Sequence, residues 1–280
     1  MISVLRHRAR PRQPRFRSAF RRLGPFGGRA PSPELRRRHS VSSCNEYERC
    51  PRRYLYGYVE RLPEDRPVPA SWRHGTVVHA ALEAAYRSHQ VGTPLTSTIP
   101  EALAALDAAW IEEGLADDRA WRDRSGELVR RTLVDDRLDA ADILGVEQPF
   151  RAEMGDGRRF AGYADLVVRR DEHTVEIVDH KITRYARNPE ELAGDSQLNL
   201  YGWFAQREWP WATRILASHH YPVLDQTVTV QLSPASMQTT ATRLDGIAAR
   251  ADADRAFVPA PGPECSSCPW IARCPAQPAG

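Results

Sequence analysis

Lys181 is the only lysine in this chain of 280 residues, in which lysine and arginine together number 39. All the other basic residues of this kind are arginines, so arginine is used wherever any positive charge is enough. The one lysine therefore indicates a position at which a guanidinium cannot replace an ammonium group. The lysine ammonium is a compact donor on a flexible stem, whereas the guanidinium is flat, forked and always charged. Such a compact donor suits an attacking water or a phosphate oxygen. Taken alone, the observation is equally compatible with one lysine that survives by chance at an exposed place.

Carboxylates on three predicted strands give this lysine a chemical context. Asp179 lies two residues before Lys181, so both side chains share one face of a strand. Asp165 lies on the preceding predicted strand, and Glu147 lies on the strand before that. Carboxylates gathered in this way repel one another unless a hard cation such as Mg²⁺ or Mn²⁺ holds them. The alternative is that they are ordinary charges at strand ends, as most isolated Asp-x-Lys pairs are.

Three further residues flank this group along the chain. His79 lies on an otherwise apolar helix face, and Gln197 and Tyr201 are four residues apart, on one face of another helix. Each of these features alone is more often ordinary packing than function. In chain order, however, they extend the carboxylate–lysine pattern on both sides.

The complete pattern resembles the RecB-like branch of the PD-(D/E)xK nuclease superfamily, which includes the nuclease domains of RecB and AddB and the CRISPR-associated RecB-like exonucleases. The resemblance extends over about residues 40–278. It implies that His79, Asp165 and Asp179 bind the catalytic Mg²⁺ or Mn²⁺, and Glu147 fits loosely as a further acid. The acid before the lysine is usually glutamate in this family, and here it is aspartate.

The resemblance also implies roles for the remaining residues. Lys181 would position or activate the attacking water, and Gln197 and Tyr201 would help to hold the DNA and the geometry of the site. The implied function is metal-dependent hydrolysis of DNA, most readily as a single-stranded DNA exonuclease in recombination and repair, CRISPR adaptation or phage DNA processing. A non-catalytic DNA-binding module and a zinc-stabilised scaffold are the rival interpretations. The sequence contains no phosphate-binding loop of the helicase type, so any unwinding of DNA would belong to a helicase partner. The resemblance also makes CRISPR adaptation proteins possible partners.

Four of the five cysteines have a spacing typical of metal ligands, and an odd number cannot pair completely as disulfides. Cys265, Cys268 and Cys274 lie close together near the end of the chain, and three ligands leave a four-thiolate site incomplete. Either Cys44 or Cys50, more than 200 residues earlier, is the candidate for the fourth. Spacing alone does not choose between zinc and an iron–sulfur cluster. Metal-binding thiols indicate a reducing, cytoplasmic compartment.

The family resemblance favours one of these alternatives. A cysteine before a Pro-x-x-Tyr segment, with three cysteines near the carboxyl terminus, is similar to the iron–sulfur nucleases of the AddB type. In those proteins a [4Fe–4S] cluster joins the two ends of the chain around the nuclease core. The resemblance thus implies that the cluster ligands are Cys50, Cys265, Cys268 and Cys274, and that Cys44 is a free thiol.

The charge distribution separates a basic tail from an acidic body. The formal net charge is +3, but residues 1–38 contain 12 arginines and one acidic residue, Glu34. The remainder therefore carries an excess of eight negative charges, so a nucleic-acid surface must be a local basic groove. We expect residues 1–39 to be disordered. A phosphate-binding arm, a targeting segment and a non-essential extension remain open for them. No apolar run is long enough to span a membrane.

The hydrophobic periodicity predicts an α/β fold with one domain over residues 40–280. Apolar residues at helical spacing predict helices near 72–89, 99–115, 118–142, 189–209 and 234–254, and a first helix that begins near 40–43 and carries Cys50. Period-two patterns predict strands near 145–153, 159–169, 174–181, 213–222 and 226–231. With the family resemblance, this implies a restriction-endonuclease-like core, in which helices flank a mixed central sheet, with a helical insertion and chain ends joined by the cysteine cluster.

Overall fold

The computed structural model describes residues 38–65, 70–115, 118–134 and 142–276. The predicted disordered tail lies outside the described residues except at its last two positions. There the prediction is wrong, because Arg38 and His39 form a short strand, β1. His39 is buried and its Nε2 atom lies 3.1 Å from Asp252 Oδ2, which ties the strand to the carboxyl-terminal part of the chain.

Apart from the short strand β1, the helices and strands of the described residues follow the order that the sequence predicts. The remaining strands are β2 (Ile143–Met154), β3 (Arg158–Asp171), β4 (Thr174–His180), β5 (Arg214–Tyr221) and β6 (Gln226–Leu232). The helices are α1 (Val41–Arg49), α2 (Pro51–Tyr54), α3 (Ala70–Gln90), α4 (Ile99–Glu112), α5 (Arg119–Val134), α6 (Pro189–Ala193), α7 (Ser196–Glu208) and α8 (Pro234–Ala253). The α/β class is therefore confirmed. No helix among the described residues is long and apolar enough to cross a membrane.

Strand β3 organises the mixed sheet. It pairs antiparallel with β2 along one edge, and its other edge pairs with β1 in parallel and with β4 antiparallel. Strand β5 then runs parallel to β4, and β6 returns antiparallel to β5. The parallel β4–β5 pair requires a crossover, which α6 and α7 supply.

Different helices cover the two faces of the sheet. Helices α1, α7 and α8 pack over one face in a core that contains Phe160, Ile177 and Leu244. Helices α3, α4 and α5 form the predicted insertion and pack over the other face around Leu82 and Val178. Ile177 and Val178 are consecutive in β4 yet belong to different cores, as the period of two in a strand requires. The sheet is thus buried on both sides.

All seven residues of β4 are buried, although only Val175, Ile177 and Val178 among them are apolar. The buried polar side chains of the strand have partners on neighbouring elements. The carboxylate of Glu176 contacts Arg170 and Ser218. Asp179 lies near the carboxyl end of the strand, beside the parallel strand β5. A buried strand therefore delivers this carboxylate to one edge of the core.

Two predicted helices are interrupted, each for a local physical reason. The first ends before Cys50, whose extended backbone (φ −163°) precedes Pro51. A proline disfavours helical geometry at the preceding residue, so the chain turns at this cysteine. The helix predicted over 189–209 divides at Gly194 and Asp195, because the Asp195 carboxylate accepts the backbone N–H groups of Gln197 and Leu198 and thereby begins α7.

Aromatic contacts join the two ends of the described chain. Tyr54 stacks on Phe257 with 6.3 Å between ring centroids, and Tyr56 meets Trp270 at 6.4 Å. The hydroxyl of Tyr47 donates to Asp254 Oδ2 at 2.9 Å. The segment after α1 therefore packs against residues that follow α8, and the cysteines at both ends share this region.

Gly202 allows α7 to pack closely against α8 and β6. A Cβ atom at this position would lie 2.6 Å from Met237 Sδ and 2.8 Å from Leu232 Cδ1, both of which belong to buried residues. We expect Gly202→Ala to destabilise the protein by about 1–3 kcal/mol through overpacking. Gly246→Ala on α8 is the matched control, since a Cβ atom there would meet nothing within 4 Å. Helix propensity predicts that the control is neutral or stabilising by up to ~1 kcal/mol. Equal melting temperatures for the two variants would contradict this packing.

Candidate active site

The register of β2 and β3 places two acids opposite each other. Val146 pairs with Leu166 and Gln148 pairs with Ala164, so Glu147 faces Asp165 across the two strands. Side chains that face each other on antiparallel strands have Cβ atoms about 4.5–5.5 Å apart. Pairing, which the sequence pattern alone does not reveal, therefore brings the two carboxylates together.

Helix α3 adds an imidazole to these acids. Ligand atoms of His79, Glu147 and Asp165 all lie within 4.8 Å of one another, and this is the one such group among the residues that the structure describes. His79 Nδ1 is 3.4 Å from Asp165 Oδ2. The same oxygen accepts the backbone N–H of His180 at 2.7 Å, which fixes the carboxylate orientation. Two carboxylates and an imidazole in this arrangement are chemically suited to a divalent cation.

Glu147 has an unusual backbone and an unusual environment. Its φ is +46°, in the left-handed region that non-glycine residues rarely adopt. Burial raises the pKa of its carboxyl group to about 8, and the neighbouring charges of Asp165 and Glu83 act in the same direction. Burial, together with Asp179, also raises the pKa of Asp165, although His79 opposes this shift. A cation would relieve this crowding of negative charge.

The acid of the Asp-x-Lys pair faces a different set of partners. Lys181 Nζ lies 2.6 Å from Asp179 Oδ2, and Gln197 Nε2 donates to Asp179 Oδ1 at 3.1 Å. Asp179 is not part of the three-residue group around His79, although its charge acts on Asp165. The predicted metal ligands therefore divide into a mutual cluster of three and a fourth acid held by the lysine and the glutamine.

Lys181 is a positively charged group at neutral pH. Burial lowers its pKa, but the charge and hydrogen bond of Asp179, together with the charges of Asp165 and Asp195, outweigh burial, so that the net shift is upward. Its side chain remains 35% exposed, which leaves the ammonium accessible from the solvent side. The geometry therefore assigns Lys181 the properties of a fixed cation beside the acids.

Tyr201 lies beneath the site and not on its surface. The side chain is buried, and its hydroxyl oxygen accepts the Tyr163 N–H at 3.2 Å and the Gln197 amide at 3.4 Å. Gly162 makes this approach possible, because a Cβ there would lie 2.5 Å from the tyrosine ring. Burial raises the pKa of the phenol, so the hydroxyl stays neutral. Tyr201 thus links α7 to β3 and supports Gln197.

Sequence reasoning missed two residues that contribute to the site. His219 on β5 is buried, with Nε2 3.8 Å from Asp179 Oδ2, because the parallel register sets these residues opposite each other. Asp195 begins α7 and thereby orients Gln197. Asp195 could have been recognised from the sequence as the residue that begins a helix. The role of His219 could not, because it depends on the pairing of β4 with β5.

Four cysteines from the two ends of the chain line a single cavity: Cys50, Cys265, Cys268 and Cys274. The backbone N–H groups of Ala260 and Gly262 donate to the Sγ atoms of Cys50 and Cys265, each at 3.4 Å. Cys44 lies elsewhere, in the core beneath α8, where its Sγ donates to Leu244 O at 3.7 Å.

The surroundings of this cavity suit a negatively charged group. Arg49, Arg52 and Arg53 also line it. N–H···S hydrogen bonds and nearby positive charge stabilise thiolates, as metal–thiolate sites require. The four cysteines therefore fit either metal alternative that the sequence leaves open.

The fold has counterparts among known proteins. Residues 38–275 match the family model described as the PD-(D/E)XK nuclease superfamily. The crystal structure of a candidate exonuclease from Eubacterium rectale has the same fold, with a TM-score of 0.57, 10% identity and coverage of 88% of this chain and 91% of that one. The structure of SSO0001 is similar at 16% identity, with a TM-score of 0.42 and coverage of 87% and 88%. No curated protein matches this chain in sequence.

The matched region includes every strand of the sheet and all the acids, the histidine and the lysine described above. The RecB-like and AddB-type branch remains a prediction, because the family model describes the superfamily as a whole. On the extent of that match, the chain belongs to the PD-(D/E)XK nuclease superfamily.

Proposed function

We propose that this protein hydrolyses phosphodiester bonds in DNA with Mg²⁺ or Mn²⁺ as its catalytic cofactor. The observation that carries the proposal is the juxtaposition of the His79–Glu147–Asp165 cluster with the Asp179–Lys181 ion pair. A cation site beside a fixed ammonium is the combination that phosphodiester hydrolysis needs, because charge develops on the phosphoryl oxygens. Membership of the nuclease superfamily supports the same conclusion.

The metal would be held by the three-residue cluster, with Asp179 as the adjoining acid. When bound, the cation supplies a Lewis acid for a phosphoryl oxygen and favours attack by water. Lys181 stays protonated, so it acts as a donor to the attacking water or to a non-bridging oxygen and not as a base. Gln197 orients the Asp179 carboxylate by its 3.1 Å hydrogen bond. Tyr201 links α7 to β3 beneath the site through its hydrogen bonds with the Tyr163 N–H and the Gln197 amide.

We further propose that the substrate is single-stranded DNA and that degradation proceeds from an end. The name of the Eubacterium rectale protein, a candidate exonuclease of the same fold, supports degradation from an end. A helicase or CRISPR adaptation partner would supply the single strand in recombination, repair, adaptation or phage DNA processing. Incubation of linear and circular single-stranded DNA with the protein and Mn²⁺ tests the mode of action. Equal degradation of both would contradict an exonuclease, and degradation of neither would contradict a nuclease.

We also propose that the four-cysteine cavity holds a [4Fe–4S] cluster, and that the protein acts in a reducing, cytoplasmic compartment. The convergence of four thiols, the two N–H···S contacts and the adjacent arginines support the cluster. Thiolate ligands of this kind persist in a reducing compartment. An absorbance band in the visible region and iron analysis of anaerobically purified protein distinguish the cluster from zinc.

We expect Lys181→Arg to lower the rate of DNA cleavage by about 10²–10³-fold, the range seen when a donor to a developing oxyanion is removed. The positive charge persists in this variant, so a loss reports the shape and reach of the donor. Folding, followed by melting, and DNA binding, followed with Ca²⁺ in place of Mg²⁺, should be retained. Turnover near that of the wild type would rule out a catalytic role for Lys181.

Metal binding should weaken as the pH falls. The Glu147 carboxyl has a pKa of about 8 without metal, so below pH 8 a bound cation must displace its proton. This linkage lowers the Mn²⁺ affinity by up to about tenfold per pH unit between pH 8 and pH 6. Titration calorimetry at pH 6, 7 and 8.5 measures this slope.

Two variants serve as controls for the pH dependence. Glu147→Gln should bind Mn²⁺ more weakly at high pH and with a shallower pH dependence, because the titrating group is absent. Asp165→Asn should lose most of the binding at every pH. If Glu147→Gln kept the full slope, the linked proton would reside on another group.

The cysteine cluster predicts equal effects from residues at opposite ends of the chain. Cys50→Ala and Cys268→Ala should each abolish iron binding and lower the melting temperature to a similar extent, because ligand binding at such a site contributes directly to folding. Cys44→Ala should retain iron and lose only about 1 kcal/mol through core packing. Loss of iron from Cys44→Ala with retention in Cys50→Ala would mean that Cys44 is the ligand.

A further inference from the structure

A second cavity, of about 330 Å³, lies between helices α3 and α5 and the loop that follows β4. We call it the basic cleft. The residues that carry its chemistry are His74, Trp121, Arg124, Glu127, Arg131 and Arg184, all of which line it. Its volume is within the range of small-ligand sites, roughly 300–1,000 Å³.

The basic cleft adjoins the candidate active site through two shared elements. Helix α3 contributes Val78 to the cleft and the next residue, His79, to the metal cluster. The chain that leaves β4 contributes Lys181 to the active site and then Ile182, Thr183 and Arg184 to the cleft. In both elements, residues of the cleft and residues of the active site are neighbours in the chain. A DNA strand bound over the acids would therefore pass close to the cleft.

The wall of the cleft contains a stack of flat rings. Trp121 stacks on His74 with 4.5 Å between centroids and 21° between planes, and His74 stacks in turn on Trp110 at 5.5 Å. Trp121 is 40% exposed, so part of its ring is open to solvent. The guanidinium of Arg124 lies over Trp121, 5.5 Å from the ring centroid. Aromatic rings and guanidinium planes are the groups on which unpaired bases stack.

His74 provides an independent indication of a ligand. It is only 5% exposed, and neither ring nitrogen has a hydrogen-bond partner among the described residues. A buried polar group without a partner is unfavourable, so natural proteins rarely retain one without a functional reason. Its position in the cleft wall makes a bound ligand the natural source of a partner.

The charge of the cleft is locally positive on an otherwise acidic body. Arg124, Arg131 and Arg184 are exposed, and none forms an ion pair within the described ranges. Arg131 donates to the backbone oxygen of Pro222 at 2.8 Å, which anchors it. Glu127 is the acidic residue of the lining, and it approaches Arg130 at 3.8 Å.

We propose that the basic cleft binds one unpaired nucleobase of the DNA strand that occupies the active site. The base stacks on the side of Trp121 opposite His74, beside the Arg124 guanidinium, and the neighbouring phosphates contact Arg131 and Arg184. In a duplex both faces of each base are covered by its neighbours, so this mode of binding selects a single strand. The inference rests on the proposed nuclease function and explains how that site would discriminate between its possible substrates.

Binding measurements with Ca²⁺ in place of Mg²⁺ test the proposal without cleavage. Fluorescence anisotropy of a labelled short oligothymidylate should show about tenfold weaker binding for Trp121→Ala, within the 5- to 150-fold range of base–aromatic stacking. Trp121→Phe should retain most of the affinity. Trp211→Ala is the matched control, because Trp211 is 39% exposed and does not line the cleft, and it should bind like the wild type.

Oligonucleotides that lack one base at successive positions locate the interaction. Wild-type protein should lose affinity when the missing base is at one particular position, and Trp121→Ala should be insensitive at that position. Arg184→Ala should weaken binding of every oligonucleotide alike and reduce the slope of log affinity against log salt by about one. If Trp121→Ala unfolds, the comparison of Trp121→Phe and Arg184→Ala with the wild type across the same oligonucleotides decides the result.

The outcomes separate this inference from the nuclease proposal. Cleavage of DNA by a protein whose Trp121→Ala variant binds all oligonucleotides like the wild type would overturn the base-binding cleft and leave the nuclease intact. A position-specific loss in a protein that cleaves nothing with Mg²⁺ or Mn²⁺ would overturn the nuclease and retain the cleft. Equal loss of duplex and single-strand affinity in Trp121→Ala would also overturn selection of an unpaired base.

Discussion

Repulsion among three carboxylates in a poorly solvated place is the constraint on which the candidate site depends. Like charges repel more strongly as the effective dielectric constant falls, so these groups cannot all remain ionised without compensation. Lys181 compensates Asp179, and His79 with the His180 N–H compensates Asp165. For Glu147, burial and the neighbouring acids raise the pKa and outweigh the charge of Arg87, which lowers it. The Glu147 carboxyl therefore has a pKa of about 8 and keeps its proton below that pH. Strands β2, β3 and β4 and helix α3 hold these groups close together.

Much of this arrangement follows from local rules that can be read in the sequence. The period of two in a strand places Asp179 and Lys181 on one face, and the helical period places Gln197 beside Tyr201. The period-two pattern over residues 174–181 predicts a strand, and the structure confirms it as β4. Even the unexpected turn at Cys50 follows a local rule, because a proline succeeds it.

Other features depend on contacts between distant segments, and local patterns do not contain them. The closeness of Glu147 and Asp165 results from the register of β2 with β3, which one residue of slippage would abolish. His219 approaches Asp179 only because a crossover makes β5 parallel to β4. Trp121 lines a cleft only because α3 and the loop after β4, which are distant from it in sequence, pack beside it.

The closure of the chain ends has a consequence for biosynthesis. Helix α1 shares a core with α8, and β1 reaches Asp252 near the end of that helix. A ribosome that adds about 5–20 residues per second needs roughly 10–40 s to make the intervening ~200 residues. During this interval the amino-terminal segment lacks its α8 partner, although β3 is made earlier and can already pair with β1. A premature stop codon before α8 would therefore disorganise the beginning of the protein as well as remove its end.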